Sequence, residues 1–430
     1  MALAPGEIIS PRCLRGDSFG VPAAVSRRCL TGREKENALD IFKKCFEFDE
    51  DKKVMERGLY PFFQALESTE GTEVVMNGRK VIMLGSNNYL GLTFHPKVRA
   101  AAQKAIDDFG TSPTGSRLIN GTLSIHVELE KRLAAFMHKE SALVFSTGMQ
   151  TNLGAISSLI GKNDVVVTDK EDHASIVDGC RLGLGEVKRF VHGDLDQLDR
   201  ILAKIPEDKG TMVVVDGVFS MGGDIVDLPK LVKVCKARGA RVYVDDAHSI
   251  GVLGGGRGTA VHFDMVKDVD ITMGTFSKSF ASLGGYVVGD EDVINWIKHT
   301  ARSFIFSASL PAAMVMAAMA SLDIMENEPE HVERLWENAR FMMKSYRELG
   351  FDIGKTQTPI IPIMVGDDEK CFRLWKELYE GGVYTNPVIA PAVPHGMALL
   401  RTSYMASHTR AQLERALGIF EKAGKKVGII

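Results

Sequence analysis

The chain has 430 residues, 45% hydrophobic and 25% charged, the balance of an ordinary soluble enzyme with room for two or three domains. A net charge of −3 argues against a nucleic-acid binder driven by bulk charge, though not against a local basic patch. The richest apolar stretch, 310–325, is interrupted by Pro311, Ser321 and Asp323, so no membrane span is expected. The six cysteines are scattered without a CxxC pair or a Cys/His cluster, which suits a reducing, cytoplasmic setting and gives no metal site.

In chain order, residues 1–36 carry Arg12, Arg15, Arg27, Arg28 and Arg33 with few acids, as a transit peptide would. Pro5, Pro11, Gly16 and Gly20 break any amphipathic helix there, so a poorly ordered leader is expected instead. Residues 37–95 read as a helical tract (Leu39, Ile41, Phe42, Cys45 and Phe46 at three- and four-residue spacing) followed by a hairpin over 74–84, turned at Asn77-Gly78. Helices follow over 96–109 and 126–138.

From Ala142 onward, short continuous apolar runs alternate with helical patterns. The runs are 142–146, 165–168, 212–215, 242–244, 271–273 and 286–288, and helices such as 194–205 and 228–238 separate some of them. Continuous runs are how strands covered on both faces look, and the alternation predicts an α/β domain over 96–310 with a mostly parallel central sheet. A long helical tract after Pro311 is expected to lead into a smaller C-terminal α+β domain over 311–430. Its strands are expected near 360–365 and 398–402, and its helices over 368–380 and 408–427.

In a parallel sheet, ligands gather at the carboxyl ends of the strands. The polar groups following the runs should therefore share one edge: Thr147-Gly148-Met149, Asp169 to His173, Asp216 to Ser220, Asp245 to His248 and Thr275 to Lys278. A lysine and an aspartate at two strand ends are what pyridoxal phosphate (PLP) requires: the amine holds the aldehyde, and the carboxylate keeps the ring nitrogen protonated. Lysines after strands are commonly solvated and strand-end aspartates commonly cap helices, so the pair alone leaves both readings open.

The surrounding motifs decide between them. Asp172-His173-Ala174-Ser175-Ile176, Asp216-Gly217-Val218-Phe219-Ser220-Met221, Val244-Asp245-Asp246-Ala247-His248 and Gly274-Thr275-Phe276-Ser277-Lys278 stand in register over roughly 50–430. In these motifs the chain resembles the α-oxoamine synthases. They are fold-type I PLP enzymes that condense an amino acid with an acyl-CoA and release carbon dioxide. Thr114 to Thr122, His173 to Cys180, Gly274 to Ser279 and the stretch from Leu399 to Thr409 are most similar to the bacterial serine palmitoyltransferase branch.

The resemblance implies L-serine and a long-chain acyl-CoA as substrates, with the sister enzymes that use glycine or alanine as the alternative. A catalytically silent partner subunit is a further alternative, but it would not need Lys278, Asp245 and His173 together. Lys278 would hold PLP and act as the base, Asp245 would face the ring nitrogen, and His173 would stack on the ring. His248 and Ser220 would lie near the phenolic oxygen. Gly148, Met149 and Thr275 would bind the phosphate. Ser307 and Ala308 would complete the site of a partner subunit in a homodimer. Arg401 would grip the substrate carboxylate, and Asn88 would lie beside cofactor and substrate. Some bacterial relatives carry a second arginine in the loop matching 386–394; here that loop has Ile389 and no arginine.

Overall fold

A computed structural model of the chain describes residues 40–430, so the leader expected over 1–36 lies outside the described residues. The chain divides into two compact units, one ending at Gly58 and the other spanning Leu59–Ile430. The first contains two short helices, Lys43–Glu47 and Glu50–Glu56, where one tract was expected. Phe48 is extended between them, and Glu50 and Asp51 open the second with acids that favour a helix start.

The second unit begins with β1 (Ser68–Thr69), β2 (Glu73–Met76) and β3 (Arg79–Met83). β2 and β3 form the expected hairpin; Asn77 and Gly78 both take positive φ, which tight hairpin turns demand and which glycine adopts without strain. The central sheet holds β4 (Ser141–Phe145), β5 (Val165–Asp169), β6 (Glu186–Phe190), β7 (Thr211–Asp216), β8 (Arg241–Asp245), β9 (Ile271–Thr275) and β10 (Gly285–Gly289). Their order is β4-β10-β9-β8-β7-β5-β6. β10 runs antiparallel to both β4 and β9, and the other pairings are parallel. The fold is therefore α/β with a mostly parallel sheet, and β4, β5, β7, β8 and β9 deliver their following loops to one edge.

The remaining strands are β11 (Ile360–Gly366), β12 (Val383–Tyr384), β13 (Asn386–Val388) and β14 (Ala398–Ser403). β12 joins the hairpin sheet in parallel with β3, while β11, β14 and β13 make a separate antiparallel sheet. Helices Asp368–Gly381 and Arg410–Val427 cover this second sheet through Leu374, Leu378, Leu413, Ala416 and Phe420. The tract after Pro311 does not leave the large sheet at once. Helix Ala312–Asn327 shares its core with helices Pro96–Phe109 and Ser124–Phe136, through Val315, Leu322, Val98, Leu129 and Leu133.

His126 ties these helices to the start of that tract. Its Nδ1 accepts the Leu123 N–H at 3.0 Å, so Nε2–H faces the Leu310 carbonyl at 2.9 Å. Burial, reinforced by the Arg117 charge, lowers its pKa to about 4. The unfolded chain binds this proton near pH 6.5 and the folded one does not. His126 therefore costs nothing above pH 6.5, and stability falls as pH drops from 6.5 toward 4, by about 3 kcal/mol at most. Between pH 7 and pH 5 His126 should account for about 2 kcal/mol of the loss seen in urea melts, and His126→Gln should remove that share while the other buried histidines keep theirs.

Candidate active site

Lys278 follows β9 in a loop fixed on both sides: Phe276 N–H donates to Gly284 C=O at 2.9 Å, and Ser279 Oγ–H donates to Ile250 C=O at 2.7 Å. Burial lowers the Lys278 amine to about pH 8; Asp245 and Asp216 act to raise it, and Arg401 to lower it further. An amine titrating there is available as a neutral base near physiological pH.

Asp245 ends the neighbouring β8 and is buried. One oxygen accepts from Asn152 Nδ2 at 2.7 Å and the other from Ala247 N–H at 2.9 Å. A carboxylate has about four lone-pair positions, so acceptor capacity remains for a further donor. Asn152 is itself buried and positioned by Tyr243, whose hydroxyl donates to its Oδ1 at 2.8 Å. Asp246 instead accepts the Thr259 N–H at 2.9 Å at the start of the next helical turn, the capping role that suits a strand-end aspartate.

His173 caps helix Ala174–Leu182, with Nδ1 accepting the Ser175 N–H at 3.2 Å and the His173 backbone N–H donating to Asp216 Oδ2 at 2.9 Å. Burial and then the Lys278 charge lower its pKa, which favours a neutral ring. His248 is buried, and burial followed by Lys278 and Arg401 lowers its pKa far below the usual range. Its Nδ1 shares a hydrogen bond with the Tyr89 hydroxyl at 2.7 Å.

Arg401, on β14, reaches across to the large sheet. Its Nε–H donates to Ser220 C=O at 2.6 Å and its Nη2 to Tyr89 Oη at 3.4 Å. It is buried, and among the described residues no carboxylate lies within salt-bridge distance of it. A buried guanidinium held only by neutral acceptors is prepared for an anionic ligand.

At the far side, Thr147 caps helix Gly148–Leu159, its side chain accepting the Gln150 N–H at 3.1 Å. Gly148 and Met149 supply the first N–H groups of this helix, at its positive end. Gly148 is packed so tightly that a Cβ would lie 2.9 Å from Thr275 Oγ1. Ser307 Oγ accepts from Gln150 Nε2 at 2.7 Å, and the Ala308 carbonyl accepts from Ser146.

The Asn88 amide is engaged within its own turn, donating to Thr93 Oγ1 at 2.9 Å and accepting the Leu92 N–H at 3.1 Å; the adjacent Tyr89 makes the contacts with His248 and Arg401. Thr275 Oγ1 lies 3.0 Å from the Gly284 carbonyl and 2.9 Å from the exposed Ser277 hydroxyl, and its proton can go to either. Ile389 packs against the core of the smaller sheet and brings no charge to the site.

Comparison with known proteins agrees with this geometry. A family model described as aminotransferase class I and II matches residues 79–420. The serine palmitoyltransferase of Bacteriovorax stolpii is 50% identical over 384 residues, covering 87% of this chain and 91% of that protein. The 8-amino-7-oxononanoate synthase of Thermoanaerobacter pseudethanolicus is 41% identical over 394 residues, covering 91% and 98%. The chain belongs to the α-oxoamine synthases of the class I and II aminotransferase family. A solved serine palmitoyltransferase with PLP as internal aldimine matches this synthase with a TM-score of 0.88 at 40% identity, covering 90% of this chain and 98% of that one.

PLP is the cofactor of this family, and the residues present suit it. Asp245 offers a buried carboxylate with a free acceptor position, Lys278 a half-buried residue whose amine is of lowered basicity, and the Gly148–Met149 helix start two N–H donors for an anion. Tyr89 and Asn152 were missed by sequence reasoning. Asn152 stands in a helix that also carries Gln150, Thr151, Ser157 and Ser158, so nothing in the sequence set it apart, and the Tyr89 contacts span 159 and 312 residues.

Proposed function

We propose that this synthase joins L-serine to a long-chain acyl-CoA with loss of carbon dioxide, giving a 3-ketosphinganine and CoA, the entry reaction of sphingolipid synthesis. The observation that carries the reading is the buried Arg401 guanidinium, without a carboxylate partner among the described residues and on the same site as Lys278 and Asp245. Higher identity to the serine palmitoyltransferase than to the 8-amino-7-oxononanoate synthase supports serine over alanine, the alternative substrate.

When bound, PLP supplies an electron sink that stabilises the negative charge left at the amino-acid Cα. Asp245 would hold the ring nitrogen in its protonated form through a charge-assisted hydrogen bond. His173, oriented by Ser175, would cover one face of the ring, and His248 and Ser220 would lie at its phenolic side. Gly148, Met149 and the Thr275–Ser277 turn would fix the phosphate. Arg401 would hold the carboxylate so that the breaking bond stands perpendicular to the ring, and Lys278 Nζ would then take the α-proton from the other side. With Ile389 in the neighbouring loop, Arg401 would carry this grip without a second arginine.

We further infer a homodimer, with Ser307 and Ala308 completing the partner's site, and a cytoplasmic location. Among the described residues no helix is long and apolar enough to cross a membrane. The division into a large domain over 96–310 and a small one over 311–430 remains part of this proposal.

The test is CoA release measured with serine, glycine, alanine and threonine, each crossed with acetyl-, succinyl-, pimeloyl- and palmitoyl-CoA. Serine with palmitoyl-CoA should give the highest turnover. Each methylene buried from the acyl chain adds about 0.8 kcal/mol, so activity should fall steeply with shorter chains. Glycine with a short acyl-CoA outperforming that pair would leave only the family assignment standing.

A further inference from the structure

His192 stands two residues beyond β6, on the same edge of the sheet as the catalytic groups. Its Nδ1 lies 3.1 Å from Asp169 Oδ1 and its Nε2 3.0 Å from Asp224 Oδ2, with Glu171 Oε2 at 3.9 Å. The Phe219 ring meets the imidazole edge-on at 4.3 Å between centroids. A carboxylate at each ring nitrogen requires a proton on each, so the ring is an imidazolium. Burial by itself pulls the imidazole down, but hydrogen bonds to Asp169 and Asp224 and the nearby Glu171 charge hold it up at about 10.

The two carboxylates belong to different loops. Asp169 closes β5, and its carboxylate also accepts the Glu171 N–H at 2.8 Å and the Gly193 N–H at 3.0 Å. Asp224 lies in the loop after β7, where its carbonyl accepts the Phe219 N–H at 3.0 Å and the Phe219 carbonyl accepts the Gly223 N–H at 2.9 Å. That loop receives the smaller sheet: Ser220 C=O takes Arg401 Nε–H at 2.6 Å, and Gly223 C=O takes the Thr358 hydroxyl at 2.9 Å and the Gln357 N–H at 3.1 Å. Without the central cation, Asp169, Glu171 and Asp224 would face one another as like charges.

We propose that His192 is a positioning residue for the amino-acid carboxylate: it braces the 219–224 loop against β5, so that the Ser220 carbonyl sets where Arg401 stands. This rests on the reading of Arg401 as the carboxylate grip. His192 touches neither Lys278 nor Asp245 through any hydrogen bond, so its effect should appear in amino-acid binding before it appears in the chemical step.

The experiment uses PLP-loaded His192→Gln and Asp224→Asn, alone and combined with Arg401→Ala. Amino-acid Kd is taken from the visible spectral change on titration, and kcat and KM from CoA release. Each single variant should raise Kd and KM for serine about tenfold, with kcat within about threefold and the cofactor absorbance kept. In the Arg401→Ala background His192→Gln should add less than about twofold, because both act through one contact. Full additivity with Arg401→Ala, or an unchanged Kd in both single variants, overturns the proposal. Should His192→Gln fail to fold, Asp224→Asn carries the same test, since it removes the brace on the Ser220 side alone. Titrations with alanine and glycine separate this outcome from the substrate reading. All three amino acids share the carboxylate, so the accepted one reports the brace even if serine is not the substrate. An unchanged Kd for Arg401→Ala itself would instead overturn the carboxylate reading on which the proposal stands.

Discussion

Lys278→Ala should abolish turnover while leaving a protein that still takes up PLP. The wild-type chain should be yellow, because an imine between Lys278 and the cofactor aldehyde extends the conjugation of the ring, and borohydride should remove the band. In the variant the cofactor would be held noncovalently through Asp245, His173 and the helix beginning at Gly148. The expected loss of kcat is the largest of any single substitution, since the same amine takes the α-proton; removing a general base costs about 10²–10⁴-fold, and losing the covalent tether adds to it. The wild-type acid limb should reflect the lowered amine. With burial holding Lys278 at about 8, exchange of the serine α-proton for deuterium should rise through that pH rather than near 10.5. A variant that turns over at the wild-type rate would remove Lys278 from the mechanism.

Arg401→Ala should weaken serine binding by an order of magnitude or more. The guanidinium is buried and its other contacts are the Ser220 carbonyl and the Tyr89 hydroxyl, so a substrate carboxylate would meet it away from water. Removing one partner of such a desolvated charge pair costs about 2–5 kcal/mol. Arg401→Lys should recover only part of that, since an ammonium lacks the planar fork that takes a carboxylate bidentately while still donating to Ser220. The measurement is the serine Kd from spectral titration of the loaded protein. A value equal to the wild type would make Arg401 a structural tie between β14 and the Ser220 loop.

Much of the site was legible because its signals are local. A strand buried on both faces must be apolar throughout, so β4, β5, β7, β8 and β9 stand out as runs, and the polar residues immediately following them were read as converging. Lys278, Asp245 and His173 sit at such strand ends or in the loops just beyond them, and the structure brings them to one edge. β6 escaped notice because it is an edge strand; Glu186, Val187 and Arg189 are exposed, and Lys188 is only half-buried, so no apolar run marks it. The run at β10 was recognised as a strand but not by direction. A strand buried on both faces has the same composition whichever way it runs, and only its pairing with β4 and β9 shows that it is antiparallel.

The sequence by itself determined the succession of elements, the apolar strands and the motif residues that end them, because side-chain burial and backbone preference act over a few neighbouring positions. The tertiary structure alone decided which polar groups face one another. Asn88 and Tyr89 are adjacent, yet the turn captures the Asn88 amide and frees Tyr89 to meet His248 and Arg401. Arg401 finds the Ser220 carbonyl across 181 residues, and His192 finds Asp224 across 32. Such contacts depend on how loops from separate strands stack at one edge of the sheet. A hydrogen bond requires atoms within about 3 Å of each other in space and leaves no periodicity along the chain from which they could be read.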